Sequence, residues 1–387
     1  MDYEARKVIE ALRSGIPSRT IGDYFGGART ELIAEMSEWL DTQESNGMIL
    51  TASYGEGKTH MLNTVFSIAQ KKNSAVSFVS LSRETPFSNL CTVFQNIARN
   101  TYMPNREQPG FDHLIGQLSP EVMMELQLFA SRELQTDKLY YLLKAFSNTD
   151  NPDIRFTLLA DLHGDFITIQ QLKKIYKDIF AENIIFSQSF VKTRHIWDYY
   201  LFLNRLFVLS GLNGWVILFD EAENIGRLGR KTRFTAYSNM AKFLGRGTGS
   251  IRSLFTITNN YVTQVIDGKD ERKHLAEAEG LYREQIECAL CRIEGAKELI
   301  PLTRDEFTWV LTKIVDFHSR AYAWNPDIDI PGLCNDAWLR GYYLRTKIRA
   351  VIEHLDQIFQ YGDAVAITAG ELDQETYQEE IPLPYEL

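Results

Sequence analysis

Cysteine is scarce in this chain of 387 residues: Cys91, Cys288, Cys291 and Cys334 are too few and too scattered to frame a disulfide scaffold. Cys288-x-x-Cys291 has the spacing of half a zinc site, but no Cys or His pair completes it, so the four read as reduced thiols. Long apolar runs are missing too. The most apolar segment, Tyr199 to Leu218, is interrupted by Asn204, Arg205, Asn213 and Gly214, which argues against a membrane span. The opening MDYEARKVIEAL carries acids and no apolar centre, unlike a signal peptide. Together these point to a cytoplasmic protein. Basic residues are outnumbered, 41 against 51 acids for a net charge of -10, so no general basic surface advertises nucleic acid. Any such contact has to be local. The mostly helical stretch from Asn100 to about Asn213 also lacks repeats and low-complexity tracts.

What is present centres on Gly47 to Thr59, GMILTASYGEGKT. Met48-Ile49-Leu50 has the character of a buried parallel strand, Ala52 to Thr59 a small-residue turn, and His60 onward the opening of a helix. Strand, glycine turn and helix in that order describe a phosphate-binding loop. Backbone amides must curl around phosphate oxygens, so Gly55 and Gly57 remove the Cβ atoms that would block approach. The helix N-terminus adds its unpaired amides and positive dipole end. The expected nucleotide contacts are Tyr54, Gly55, Glu56, Gly57, Lys58, Thr59 and His60. Lys58 reaches the β- and γ-phosphates of ATP, and the Thr59 hydroxyl ligates Mg²⁺. The motif is usually G-x-x-x-x-G-K-S/T, and here Ala52 stands in its first glycine position.

The second informative stretch is Trp215 to Glu221, WVILFDE. An apolar run ending in two acids describes a buried strand, placed beside the loop's own, with carboxylates at its C-terminal edge, where open α/β sheets bind ligands. Asp220 is expected to hold Mg²⁺ opposite Thr59, and Glu221 to polarise the attacking water. The next strand, Arg252 to Asn260, places Asn259 to hold that water or sense the γ-phosphate, with Thr258 or Asn260 substituting if the register slips. Between the two strands lie Arg227, Arg230, Lys231, Arg233, Lys242, Arg246 and Arg252 against the single acid Glu223. This Arg227–Arg252 segment reads either as a contact for DNA or an acidic partner, or as an ordinary solvated helix face.

The expected fold is α/β: a P-loop NTPase with a parallel sheet, a helical insertion and a C-terminal helical lid, a winged helix being one form of it. Its parts are an N-terminal helical segment (1–45), the ATPase core (46–302) with the insertion at about 100–213, the lid (303–361) and an acidic tail (362–387). The last long helix is expected over Trp338 to Tyr361, after breaks at Pro326 and Pro331. Tyr24 and Phe25 are candidates for stacking on adenine, with core packing as the plainer role.

These features resemble AAA+ and related P-loop ATPases. GEGKTH, SLSRETPF and LFDEAENIGRLGRKTRFTAYSNM further resemble the ATP-binding proteins of BREX-type phage-resistance systems, the BrxC/BrxD family, from near residue 5 to about residue 360. The resemblance implies an ATPase acting with other defence proteins, such as a helicase, nuclease or regulator, and a homo-oligomer is one arrangement it allows. It also implies a lid arginine at Arg345, with Arg349 as the fallback. A trans-acting arginine falls at Arg292, with Arg283 as the alternative. A nucleotide-gated binding module and a DNA-binding regulator stay open as other readings.

Overall fold

A computed structural model describes residues 2–15, 19–42, 47–245, 250–340 and 343–362. Arg246 and residues 363–387 of the acidic tail lie outside them. Three helices open the chain: α1 (Tyr3–Ser14), α2 (Arg19–Tyr24) and α3 (Thr30–Asp41). The core begins with β1 (Met48–Ala52), α4 (Lys58–Lys71), β2 (Ala75–Ser80), α5 (Leu90–Arg99) and β3 (Thr101–Tyr102). The insertion follows as α6 (Asp112–Gln117), α7 (Pro120–Arg132), α8 (Lys138–Ser147), α9 (Pro152–Ala160), a π-helical turn at Asp161–Asp165, α10 (Ile169–Phe180) and α11 (Lys192–Leu209). The core resumes with β4 (Trp215–Asp220), a 3-10 turn at Ala222–Arg227, α12 (Arg230–Leu244), β5 (Ile251–Thr258), a π-helical turn at Val262–Asp267, α13 (Glu271–Leu275), α14 (Gly280–Glu294) and β6 (Lys297–Glu298). The chain closes with α15 (Arg304–Tyr322), α16 (Ile330–Arg340) and α17 (Leu344–Tyr361).

The six strands form one sheet in the order β3-β2-β4-β5-β1-β6. Every neighbouring pair is parallel except β2 with β3. The loop strand β1 is therefore separated from the acid strand β4 by β5, whose residues Leu254 and Phe255 pair with both. The two strands are not adjacent, contrary to the expected side-by-side placement. All three nevertheless end at one edge.

Alternation along β4 explains the layers. Val216 and Leu218 pack with α3 and α4 through Met36, Leu62 and Val65. Trp215, Ile217 and Phe219 face the opposite cluster built by α5, α11, α12 and α14. All six β4 residues are buried, the pattern of a strand covered on both faces.

The N-terminal and C-terminal segments meet in space. Ala5, Val8 and Ile9 of α1 share one hydrophobic cluster with Phe307, Leu311 and Ile314 of α15 and Val351 and Leu355 of α17. Arg13 clamps Asp356 through Nε at 3.0 Å and Nη2 at 2.7 Å. Thr303 and Glu306 form a capping box at the head of α15, a feature that contributes about 1 kcal/mol.

Three further expectations are corrected. The long helix over Trp338 to Tyr361 is split: α16 ends at Arg340, and α17 starts at Leu344 after an extended Tyr343 (φ -95°, ψ 141°). Pro331 sits in the first turn of α16 rather than breaking the chain, because a helix start needs no proline N–H. Among the described residues, the C-terminal part is three helices without the β-hairpin of a winged helix.

Candidate functional site

The loop after β1 is shaped by backbone conformations that side chains resist. Gly55 has φ 77° and Gly57 has φ 96°. A Cβ at Gly55 would lie 3.2 Å from Tyr343 Cβ, and one at Gly57 would lie 3.3 Å from Arg29 Nη1. Glycine is required both for the turn and for the approach of its neighbours. Ala52 poses no such problem. It is the last residue of β1, is 1% exposed, and buries its methyl in the cluster beneath α4.

Lys58 opens α4 immediately beyond Gly57, where first-turn amides have no partner within the helix. Its ammonium donates to the Ala52 carbonyl at 3.3 Å and is 8% exposed. The Thr59 hydroxyl donates to Asp220 Oδ2 at 2.6 Å, bringing the two stretches read from sequence into direct contact. Asp220 Oδ1 accepts from the Thr256 hydroxyl at 2.6 Å and from the Glu221 amide at 3.0 Å, so the carboxylate is held on both oxygens.

Residues 2–140 match the model of the family described as BREX system ATP-binding protein BrxC/D. The match takes in the glycine loop and ends within α8. The DEAEN stretch, which also carries the resemblance, lies beyond it, so Asp220 and Glu221 stand on the geometry above. Among solved structures, the Walker-type ATPase PABY2304 of Pyrococcus abyssi overlays with a TM-score of 0.39 at 13% identity, covering 87% of this chain and 68% of that one. No curated protein matches the chain.

Around the glycine loop the cleft has a polar and an apolar half. Tyr54, Lys58, Thr59, His60, Asp220 and Glu221 line the first; Leu12, Ile21, Phe25, Val310, Leu344 and Ile348 line the second. Phe25 therefore faces the cleft, with its ring 6.3 Å from that of His60. Tyr24 packs edge-on against Phe317 at 5.0 Å instead. Burial and the nearby Arg29 charge push the His60 imidazole down to about 4, keeping it neutral near pH 7. The Glu56 side chain turns to the start of α17, accepting from the Leu344 amide at 3.3 Å.

Glu221 adopts a left-handed conformation (φ 57°, ψ 36°), strained for a residue with a Cβ. Its Oε2 accepts from the Ser80 hydroxyl at 3.1 Å. Asn259 lies at the start of the loop, donating from its amide to the Ala52 carbonyl at 3.1 Å and from Nδ2 to Ser53 Oγ at 2.9 Å. Arg345 lines the cleft; its Nη1 donates to the Tyr54 hydroxyl at 3.0 Å, and its amide donates to the Gly55 carbonyl. Arg292 is not brought to this cleft. It donates to the Gly47 carbonyl at the foot of β1, roughly 17 Å from the loop for five strand residues. The fallback residues Arg349 and Arg283 are exposed, on α17 and α14.

Four residues escaped the sequence reading. Arg29 donates to the Glu56 carbonyl at 3.0 Å and the Ile300 carbonyl at 3.1 Å, bracing the loop from the N-terminal side. Ser80 and Thr256 orient the two acids, and Glu223 lies 3.8 Å from Lys58. Burial pushes the Glu223 carboxyl up to about 7. Only Glu223 carried a sequence signal, as the second acid of Asp-Glu-Ala-Glu.

The basic stretch does not form one open face. Arg233 is buried in an ion pair with Glu271, and Arg252 is 8% exposed with Nη2 on the Thr42 carbonyl. Arg230 lies 3.6 Å from Glu277. Among the described residues no helix is long and apolar enough to cross a membrane, and no cluster of three or more His, Cys, Asp or Glu forms a metal cage.

Proposed function

We propose that the chain is a Mg²⁺-dependent ATPase acting as a motor or switch subunit in a bacterial anti-phage defence complex, in the cytoplasm. The observation that carries this reading is the Thr59–Asp220 contact at 2.6 Å beside a glycine loop headed by Lys58. Those two oxygens suit a hard cation that keeps most of its waters and arrives with the phosphates, so a protein cage is not needed. Thr59 and Asp220 would hold Mg²⁺, which would offset charge on the phosphate oxygens. Lys58 and the loop amides would bind the β- and γ-phosphates. The apolar half of the cleft, with Phe25, would take the base. Glu221 would polarise the attacking water, while Asn259 and Arg345 would report on the γ-phosphate. The defence role comes from the family described for residues 2–140. Other components of that system are the proposed partners, with a homo-oligomer as a further arrangement.

A second reading, a nucleotide-gated binding module with little turnover of its own, draws on the state of these groups. Ser80 holds Glu221, Tyr54 holds Arg345 and Glu223 faces Lys58, an arrangement that suits a resting site. A DNA-binding regulator is less favoured, because Arg233 and Arg252 serve internal contacts. Phosphate release from Mg·ATP, measured with and without DNA and across protein concentrations, tests the assignment. Glu221→Gln should retain ATP and lose about 10²–10⁴-fold in turnover. Wild-type turnover in both Glu221→Gln and Lys58→Ala would refute it.

A further inference from the structure

Glu223 has no role in the scheme above, yet it lies against the centre of it. The left-handed Glu221 turns the chain into the 3-10 segment that carries Glu223 back beneath the glycine loop. Its carboxyl is 4% exposed and lines the cleft. Oε1 stands 3.8 Å from the Lys58 ammonium, too far for a tight hydrogen bond but close enough for an ion pair. Oε2 is buried without a hydrogen-bond partner among the described residues. A buried carboxylate with one loose ion pair and one bare oxygen is costly unless the site gains something by it.

We propose that Glu223 is a placeholder for the triphosphate: it supplies Lys58 with a counter-charge in the empty cleft and gives that lysine up when phosphates arrive. This rests on the reading of the cleft as an ATP site. Without Glu223, the buried ammonium would keep only the Ala52 carbonyl, at 3.3 Å, as a partner among the described residues. Once Lys58 turns to the nucleotide, Glu223 is left near Asp220 and Glu221 and faces the incoming phosphate charge. It therefore weakens nucleotide binding and favours release. Glu223 is a positioning residue, acting through Lys58 rather than on the reacting atoms.

The test uses the full chain at pH 8 and fluorescently labelled ATP and ADP, titrated in EDTA and again in Mg²⁺. Glu223→Gln removes the charge and keeps the shape. It should bind both nucleotides about ten-fold more tightly with or without Mg²⁺, while Glu223→Asp, which keeps the charge, stays close to wild type. Steady-state turnover of Glu223→Gln should show KM and kcat falling together as release slows. Unchanged or weaker binding by Glu223→Gln overturns the proposal, and so does an effect confined to Mg²⁺, which would place Glu223 on the metal side. A second measurement needs no nucleotide: Lys58 of the empty protein should react faster with an amine-directed label in Glu223→Gln, because the ammonium is no longer held against a buried counter-charge. An unchanged rate also overturns it. If the wild type binds no ATP, the ATPase reading fails, and the labelling rate still decides the Lys58–Glu223 pair.

Discussion

Lys138 in the helical insertion and Lys58 at the head of α4 are both withdrawn from water, at 0% and 8% exposure, but their surroundings differ in completeness. Lys138 donates to Asp161 Oδ2 at 2.5 Å and to the Tyr199 hydroxyl at 3.0 Å, and its ammonium lies 4.3 Å from the Phe190 ring centre. Tyr199 in turn donates to Asp161 Oδ1 at 2.7 Å, closing the triangle. Burial pulls the lysine down and pushes Asp161 up, and their mutual contact opposes both shifts. Lys58 has a carbonyl at 3.3 Å and a carboxylate at 3.8 Å, and that carboxylate keeps a bare oxygen. A saturated buried charge ties α8, the π-turn and α11 together. An unsaturated one at the head of a glycine loop is open to a ligand that completes it.

The largest expected effect separates these roles by stability. Lys138→Met should cost about 3–5 kcal/mol in chemical denaturation, because it strands Asp161 without its charge. Adding Asp161→Leu should recover much of that loss, since an apolar pair of similar volume replaces the ions. A neutral Lys138→Met would erase the distinction. Lys58→Ala should behave in the opposite sense. Stability should stay within about 1 kcal/mol, while ATP affinity falls at least ~100-fold in a binding titration, about 2.7 kcal/mol.

His60 extends the contrast to a third withdrawn base. Its folded value of about 4 lies below the ordinary 6.5, so the unfolded chain takes up the proton first as pH falls. The stability it contributes is complete above pH 6.5 and is lost as pH drops toward 4. The loss should be on the order of 2 kcal/mol, and His60→Gln should remove that part of the slope in denaturation curves across pH. The smallest effect belongs to Tyr54→Phe. It deletes the 3.0 Å contact to Arg345 but keeps the ring under the guanidinium, so stability should change by less than ~1 kcal/mol.

The sequence discloses this site unevenly, for physical reasons. The glycine loop and the Asp220-Glu221 strand end are local: their residue types and order are dictated by the chemistry, and Thr59 meets Asp220 although 161 residues apart. The two glycines are there because the loop needs positive φ. Arg29, Ser80 and Thr256 reach the site by tertiary packing from elements whose sequences carry no phosphate signal. The Arg227–Arg252 segment misleads because a linear charge count does not register that Arg233 meets Glu271 inside the fold. The break at Tyr343 escapes for a related reason. Helical periodicity continues through it, while the turn is held by contacts of Leu344 and Arg345 to the loop. β3, two residues long, is too short for any alternation to show.

The central claim is tested most directly by a crystal structure of the full chain with Mg²⁺ and a non-hydrolysable ATP analogue. The account predicts the β-phosphate within hydrogen-bonding distance of the amides of Gly57, Lys58 and Thr59. Lys58 should have left Glu223 for the phosphates, and the metal should lie between Thr59 and Asp220. A triphosphate bound elsewhere, or a cleft left empty at saturating analogue with Lys58 still facing Glu223, would contradict it.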